Sequence, residues 1–214
     1  MGKVYLISME VAGPTAMWTR PDTGDSPVSY PAPTYSAAKG LFEAVARMRT
    51  VQITPVRAEI CAPIVYHNYA FNYGGPLRKA KSLQGGMGLQ VFASVLVNVI
   101  YRLYGELRPE SAEAPPLSGA ARARAAKGLN ALRACQEMFE RRLLRGQWHD
   151  IPFLGLRDFF PSYMGPLRRE TQVCRDITLT LPSFLREVFT PSGQVRPKFD
   201  PGLVIREGVL TYAQ

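Results

Sequence analysis

The residues able to do chemistry are few and dispersed. The chain has two histidines and three cysteines. His67 stands in the run Tyr66-His67-Asn68-Tyr69-Ala70-Phe71-Asn72-Tyr73-Gly74-Gly75, and Arg78, Lys79 and Lys81 follow it closely. Aromatic rings can stack on unpaired bases while neighbouring cations hold phosphates, so this segment is a candidate RNA contact. The alternative is side-chain packing within a hairpin. His149 follows Arg145-Gly146-Gln147-Trp148. It is either a general acid or base, or a ring that hydrogen-bonds the backbone. Cys61, Cys135 and Cys174 are odd in number and far apart, and no pair has metal-ligand spacing. The sequence contains no phosphate-loop motif, no HExxH and no CxxC. We therefore expect neither a metal site nor a cofactor.

Charge points to a polyanion. Lysine and arginine number 26 against 17 acidic residues, a formal net charge of +9. Much of the excess is arginine, whose planar fork of donors matches phosphate oxygens. Hydrophobic residues make up 46% of 214 residues, enough for a packed core. The amino terminus lacks a signal-peptide pattern, and the longest apolar run, near Val91–Ile100, is interrupted by Ser94 and Asn98. A reducing cytoplasm without membrane contact is the expectation.

The elements that position these groups follow from periodicity. Val4–Val11 reads as a buried strand ended by Gly13-Pro14. Thr34 is placed as the N-cap of a helix over about Tyr35–Met48, whose polar face carries Lys39, Glu43 and Arg47. Val51–Ile64 suggests two short strands broken by Pro55 and Pro63. A hairpin over about 64–88 returns into a long strand at Leu89–Leu107. A second helix over Ala120–Leu144 puts Leu129, Leu132, Cys135, Phe139 and Leu143 on one face, with Gly128 a potential break. Cys135 on that stripe reads as a core residue. Ile151–Phe159 suggests strand, turn and strand. Further strand candidates lie at Arg175–Leu181 and Leu203–Thr211 in an otherwise irregular tail. This order predicts an α+β, ferredoxin-like sheet of the RNA-recognition-motif type, with an inserted basic hairpin. It spans residues 1–160, and residues 161–214 form a C-terminal extension packed on the same domain.

Two blocks carry a family resemblance. The first is Ser29-Tyr30-Pro31-Ala32-Pro33-Thr34-Tyr35-Ser36-Ala37-Ala38-Lys39-Gly40-Leu41-Phe42-Glu43-Ala44. The second runs Met138-Phe139-Glu140-Arg141-Arg142, then Gly146-Gln147, then Pro152-Phe153-Leu154-Gly155-Leu156-Arg157-Asp158-Phe159. Together with Thr19-Arg20-Pro21, these resemble the CRISPR-associated "Cas five" family in its type I-C branch, over most of residues 1–160.

The resemblance implies a subunit at the foot of a Cascade complex that grips the 5′ handle of the CRISPR guide RNA. Its neighbours would be the backbone subunit and the large subunit, and contact with target DNA near the flanking motif stays open. The RNA-binding positions it suggests, taken with the charge pattern, are Trp18, Arg20, Tyr35, Lys39, Arg47, His67, Tyr69, Arg78, Lys79, Lys81, Arg141, Arg142, Arg145 and Arg157. In that branch the subunit also cuts precursor RNA with a Tyr, a Lys and a His. The matching positions here are Ala46, Ala134 and Cys135, which supply none of those groups. The resemblance therefore implies a clamp without catalytic residues. The competing reading is an endoribonuclease using substitutes, with His149 the fallback, or His67 or Tyr35 acting with Lys39 or Arg145.

Overall fold

The computed structural model describes residues 4–24, 26–72, 90–109, 130–189 and 193–212. The elements are β1 (Tyr5–Ala16), α1 (Tyr35–Val45), β2 (Val51–Ile60), β3 (Tyr66–Asn72), β4 (Gln90–Pro109), α2 (Ala131–Arg145), β5 (Tyr163–Gly165), β6 (Leu179–Phe189), β7 (Val195–Arg206) and β8 (Val209–Thr211). The strands make one antiparallel sheet in the order β5-β1-β4-β2-β8-β7-β6, and β3 pairs with β4 off this path. The architecture is thus α+β, a mostly antiparallel sheet with two helices among the described residues.

Strand β4 organises the sheet. Its 20 residues reach about 65 Å at roughly 3.3 Å per residue. The segment Leu96–Leu107 pairs with β1, and Tyr101–Pro109 pairs with β2 on the opposite edge. The preceding stretch, Gln90–Leu96, carries β3. The predicted long strand and the ascending arm of the predicted hairpin are both present. The rest of that insertion, including Arg78, Lys79 and Lys81, lies outside the described residues.

Alternation along β1 sorts its side chains. Tyr5, Ile7, Met9 and Val11 are buried on the helix side, while Leu6 and Ser8 point the other way. Phe42 of α1 and Phe139 of α2 meet over this face with ring centroids 5.9 Å apart. Thr34 caps α1 as the sequence predicts, its Oγ1 accepting the Ala37 N–H at 3.2 Å. Asn130 caps α2 by accepting from Leu132 and Arg133. The described helix starts there, and residues 120–129 of the predicted one lie outside the described set.

Several expectations are corrected. Strand β1 runs through Gly13-Pro14 to Ala16, and the register leaves Pro14 opposite Asn98, which has φ 53°. Helix α1 stops at Val45 rather than Met48, because Ala46 is already extended. Arg47 therefore lies outside the helix, and Glu43 lies 3.9 Å from Lys39. Strand β2 is one strand, with Pro55 accommodated where the register shifts before Arg57. Residues 151–159 form no strands. The Leu154 N–H donates to Phe159 O and the Phe159 N–H to Leu156 O, closing a tight loop. The C-terminal part is not irregular: β6, β7 and β8 form a meander that joins the sheet through β8 and β2.

The side of the sheet away from the helices holds one fully buried carboxylate, Glu10. It accepts hydrogen bonds from Arg168 Nε (2.6 Å), the Arg168 backbone N–H (3.0 Å) and Thr171 Oγ1 (2.8 Å). Arg102 on β4 places Nε 3.6 Å from Glu10 and donates from Nη2 to the carbonyls of Arg168 and Thr171. This network staples residues 168–171 across β1 and β4. Removing one member of a buried, paired charge set strands the others in a low-dielectric site. Glu10→Ala is expected to cost about 3–5 kcal/mol of folding free energy, read from denaturant unfolding. A loss below about 1 kcal/mol would show that solvent solvates the two arginines equally well.

Candidate nucleic-acid interface

The carbonyls at the end of α1 need partners, and residues after α2 supply them. Ala44 O accepts the backbone N–H groups of His149 (2.7 Å) and Asp150 (3.1 Å). Val45 O accepts from Arg142 Nη1 at 3.1 Å. The end of α2 is closed by Gly146 in the left-handed region, with the Gln147 N–H donating to Arg142 O. Both helices therefore terminate together. Arg47 and Arg49 leave the end of α1, and Arg141 and Arg145 lie in the last turns of α2. All four are exposed, and none forms an ion pair among the described residues. Two helix C-termini place partial negative charge beneath them, which eases the crowding of like charges. The outward guanidinium groups remain available to phosphate. Sequence reasoning missed Arg49, whose only signal was its two-residue spacing from Arg47.

A second group surrounds the base of β3. Met17 donates its N–H to Leu154 O at 2.8 Å, which docks the 154–159 loop on the end of β1. Gly155 makes this docking possible. Its φ is 95°, and a Cβ there would lie 1.7 Å from Met17 O. Tyr69 rests edge-on against Phe159, with ring centroids 5.3 Å apart. Tyr66 donates its hydroxyl to Ser29 O at 3.2 Å. Arg20, His67, Tyr69 and Arg157 thus share a neighbourhood assembled from three distant stretches of chain. His67 and Arg157 are exposed, and Arg20 is held by Asp22 at 2.8 Å.

Other predicted positions take different roles. Trp18 is 2% exposed; its indole N–H donates to Tyr101 Oη, and its ring meets Tyr101 edge-on. Tyr35 is buried against Tyr212, with the Arg186 guanidinium over its ring. These two aromatics are core residues, which corrects the expectation of RNA contact. Both belong to well-packed clusters in which a ring gains more from burial than from solvent. Arg142 is half-buried as the cap of α1, and Lys39 sits beside Glu43.

The three positions that the resemblance points to for cutting, Ala46, Ala134 and Cys135, differ in exposure. Ala46 and Cys135 are fully buried, and Ala134 is exposed. Arg142 touches Val45, and Ala134 precedes Arg142 by eight residues, about 12 Å along the helix axis. Burial pushes the Cys135 thiol up to about 11, which keeps it protonated near neutral pH. The His149 backbone N–H is committed to Ala44, while its ring is exposed. Among the described residues no group of three His, Cys, Asp or Glu side chains could hold a metal ion. None of the described helices is long and apolar enough to cross a membrane.

Comparison with known proteins follows the same geometry. A family described as CRISPR-associated protein (Cas_Cas5) matches residues 6–103, from β1 into β4. A Thermus thermophilus protein, CRISPR pre-crRNA endoribonuclease Cas5d, is 30% identical over 173 residues. The chain is thus similar to the CRISPR-associated Cas5 family model over residues 6–103 and to that Thermus protein over a longer stretch. The match covers 75% of the chain and spans 63% of the length of that Thermus relative. Solved structures share the fold. A CRISPR-associated protein aligns over 100% of the chain and 95% of its own length, at TM-score 0.69 and 17% identity. A functionally uncharacterized Streptococcus mutans protein, SMU1763c, aligns over 98% and 92% at TM-score 0.68 and 15% identity. A chain of a CRISPR RNA-guided surveillance complex aligns over 98% and 91% at TM-score 0.54 and 14% identity.

Cysteine labelling checks the buried positions. Cys61 is also pushed up to about 11 by burial, whereas Cys174 is only partly buried. Iodoacetamide at pH 8 is expected to modify Cys174 first, and Cys61 and Cys135 only on unfolding, as read by mass spectrometry. A raised pKa means thiolate rises tenfold per pH unit between pH 8 and 10. Modification of native Cys135 ahead of Cys174 would contradict its burial.

Proposed function

We propose that this chain is a Cas5-family protein, the guide-RNA clamp of a type I-C Cascade, gripping the 5′ handle and anchoring assembly without cutting RNA. The observation that carries this reading is the set of four exposed arginines, Arg47, Arg49, Arg141 and Arg145, without ion pairs among the described residues, where the two helices end. Unpaired guanidinium groups at helix termini are a phosphate-binding surface that has no internal use for its charge. The hairpin base, with His67 and Tyr69 two residues apart on one face of β3, adds a stacking surface. The strand order β5-β1-β4-β2 around two helices supports a ferredoxin-like core. The C-terminal meander is the extension packed on it. Guide RNA, a backbone subunit and a large subunit are the partners of this reading, in the cytoplasm.

The Thermus relative's name favours a second reading, a metal-independent endoribonuclease. Ala46, Ala134 and Cys135 offer no phenol, ammonium or accessible imidazole, so His149 is the residue left to carry it. Full-length protein incubated with precursor repeat RNA in EDTA is expected to bind and release it intact. Discrete cleavage that disappears in His149→Ala would establish the second reading instead.

The clamp reading also makes a salt-dependence prediction. Replacing Arg47, Arg141 and Arg145 by Gln is expected to lower the slope of log K against log salt by about 2, since each single-strand phosphate contact contributes about 0.7. Anisotropy titrations across a salt series measure it. A slope unchanged within error would remove the helix-end group from the interface.

A further inference from the structure

A cavity of about 260 Å³ opens between the loop that carries Arg20, the base of β3 and the start of β6. Tyr30 and Leu181 are buried wall residues, and Tyr66, 45% exposed, forms a rim. Arg20 and Asp22 stand at the mouth, side by side, with side chains 40% and 54% exposed. Ser183, exposed near the start of β6, also lines the cavity. The space is smaller than the roughly 300–1,000 Å³ of drug-sized pockets, and its chemistry is that of a single planar ring. Apolar and aromatic walls favour a flat heterocycle, and one carboxylate and one guanidinium at the mouth provide an acceptor and a phosphate donor.

We propose, resting on the RNA-binding reading above, that this cavity captures one unstacked nucleobase bearing an exocyclic amine, with Asp22 as the specificity-determining acceptor. The ring sits against Tyr66, and its amine donates to the Asp22 carboxylate, as carboxylates accept from cytosine N4. Uracil presents a carbonyl at the corresponding edge, so its oxygen meets the carboxylate and is disfavoured. The RNA backbone replaces Asp22 as the partner of Arg20. The Arg20–Asp22 pair is exposed and two residues apart in sequence, so little stability opposes this exchange. In the free protein the pair keeps both groups aligned at the mouth. This assigns a role to the paired Arg20 and to Tyr66, and it draws β6 into RNA recognition.

The test uses full-length protein and labelled oligo(rA), oligo(rC) and oligo(rU) of equal length at one salt concentration, followed by anisotropy. The A and C strands are expected to bind roughly tenfold more tightly than the U strand. Asp22→Ala is expected to bring the three affinities within about twofold while RNA still binds. Ser183→Trp, which places an indole on the β6 side of the cavity and leaves Arg20 and Asp22 in the sequence, is expected to do the same. Tyr66→Phe keeps the ring and the preference, and Tyr66→Ala weakens all three strands. Thermal melts of each variant exclude unfolding. Binding without an A and C preference, or a preference that survives both Asp22→Ala and Ser183→Trp, overturns the base site and leaves the RNA reading intact. Failure to bind any of the three strands overturns both.

Discussion

The backbone of β4 must find hydrogen-bond partners along both edges of a 20-residue strand, and most of the architecture answers that requirement. Strand β1 satisfies one edge and β2 the other, while β3 continues the pairing where the main sheet ends. An extended strand of this length cannot be buried in one layer. Its first part, Gln90–Leu96, pairs with β3 beyond the stretch that β2 covers. The remaining strands extend the sheet on each side, β5 beyond β1 and the β8-β7-β6 meander beyond β2. The base of β3 and the start of β6 line one cavity, and both reach it through strands ordered on β4.

Charge is used in two opposite ways. On the face away from the helices, two arginines and a threonine surround the buried Glu10 carboxylate, and charge serves to hold one chain segment. At the helix ends four arginines stay in water with no ion-pair partner among the described residues. Composition alone does not separate these uses, since each contributes equally to the net charge. Burial separates them: a guanidinium beside a buried carboxylate is spent on structure, whereas one in solvent remains free for a polyanion.

The resemblance blocks acquire a physical meaning from their contacts. The Leu-Gly-x-Arg run around Gly155 is the piece that seats against Met17, next to the stretch holding Arg20. The Gly-Gln turn is the cap that brings His149 and Asp150 back to the end of α1. Spacing in these motifs reflects the docking of loops onto strand and helix ends at least as much as any chemistry.

Local signals in the sequence were sufficient for much of this protein. Thr34 as a cap, the apolar stripe Cys135–Phe139–Leu143, and the β-branched run of β4 are properties of short windows, where propensity and periodicity act directly. That Ala46, Ala134 and Cys135 carry no phenol, ammonium or imidazole was equally legible, because it is a matter of residue identity. Pairing was not local. Pro14 and Pro55 read as strand breakers, yet a facing Asn98 and a register shift accommodate them, and both depend on partners at distant positions. Trp18 and Tyr35 carry the same ring chemistry as a stacking platform. Only their contacts with Tyr101 and Tyr212 turned them inward. The sequence by itself determined which groups were present and which were lacking. The tertiary structure decided which of them face solvent, because burial arises between segments that no sequence window contains.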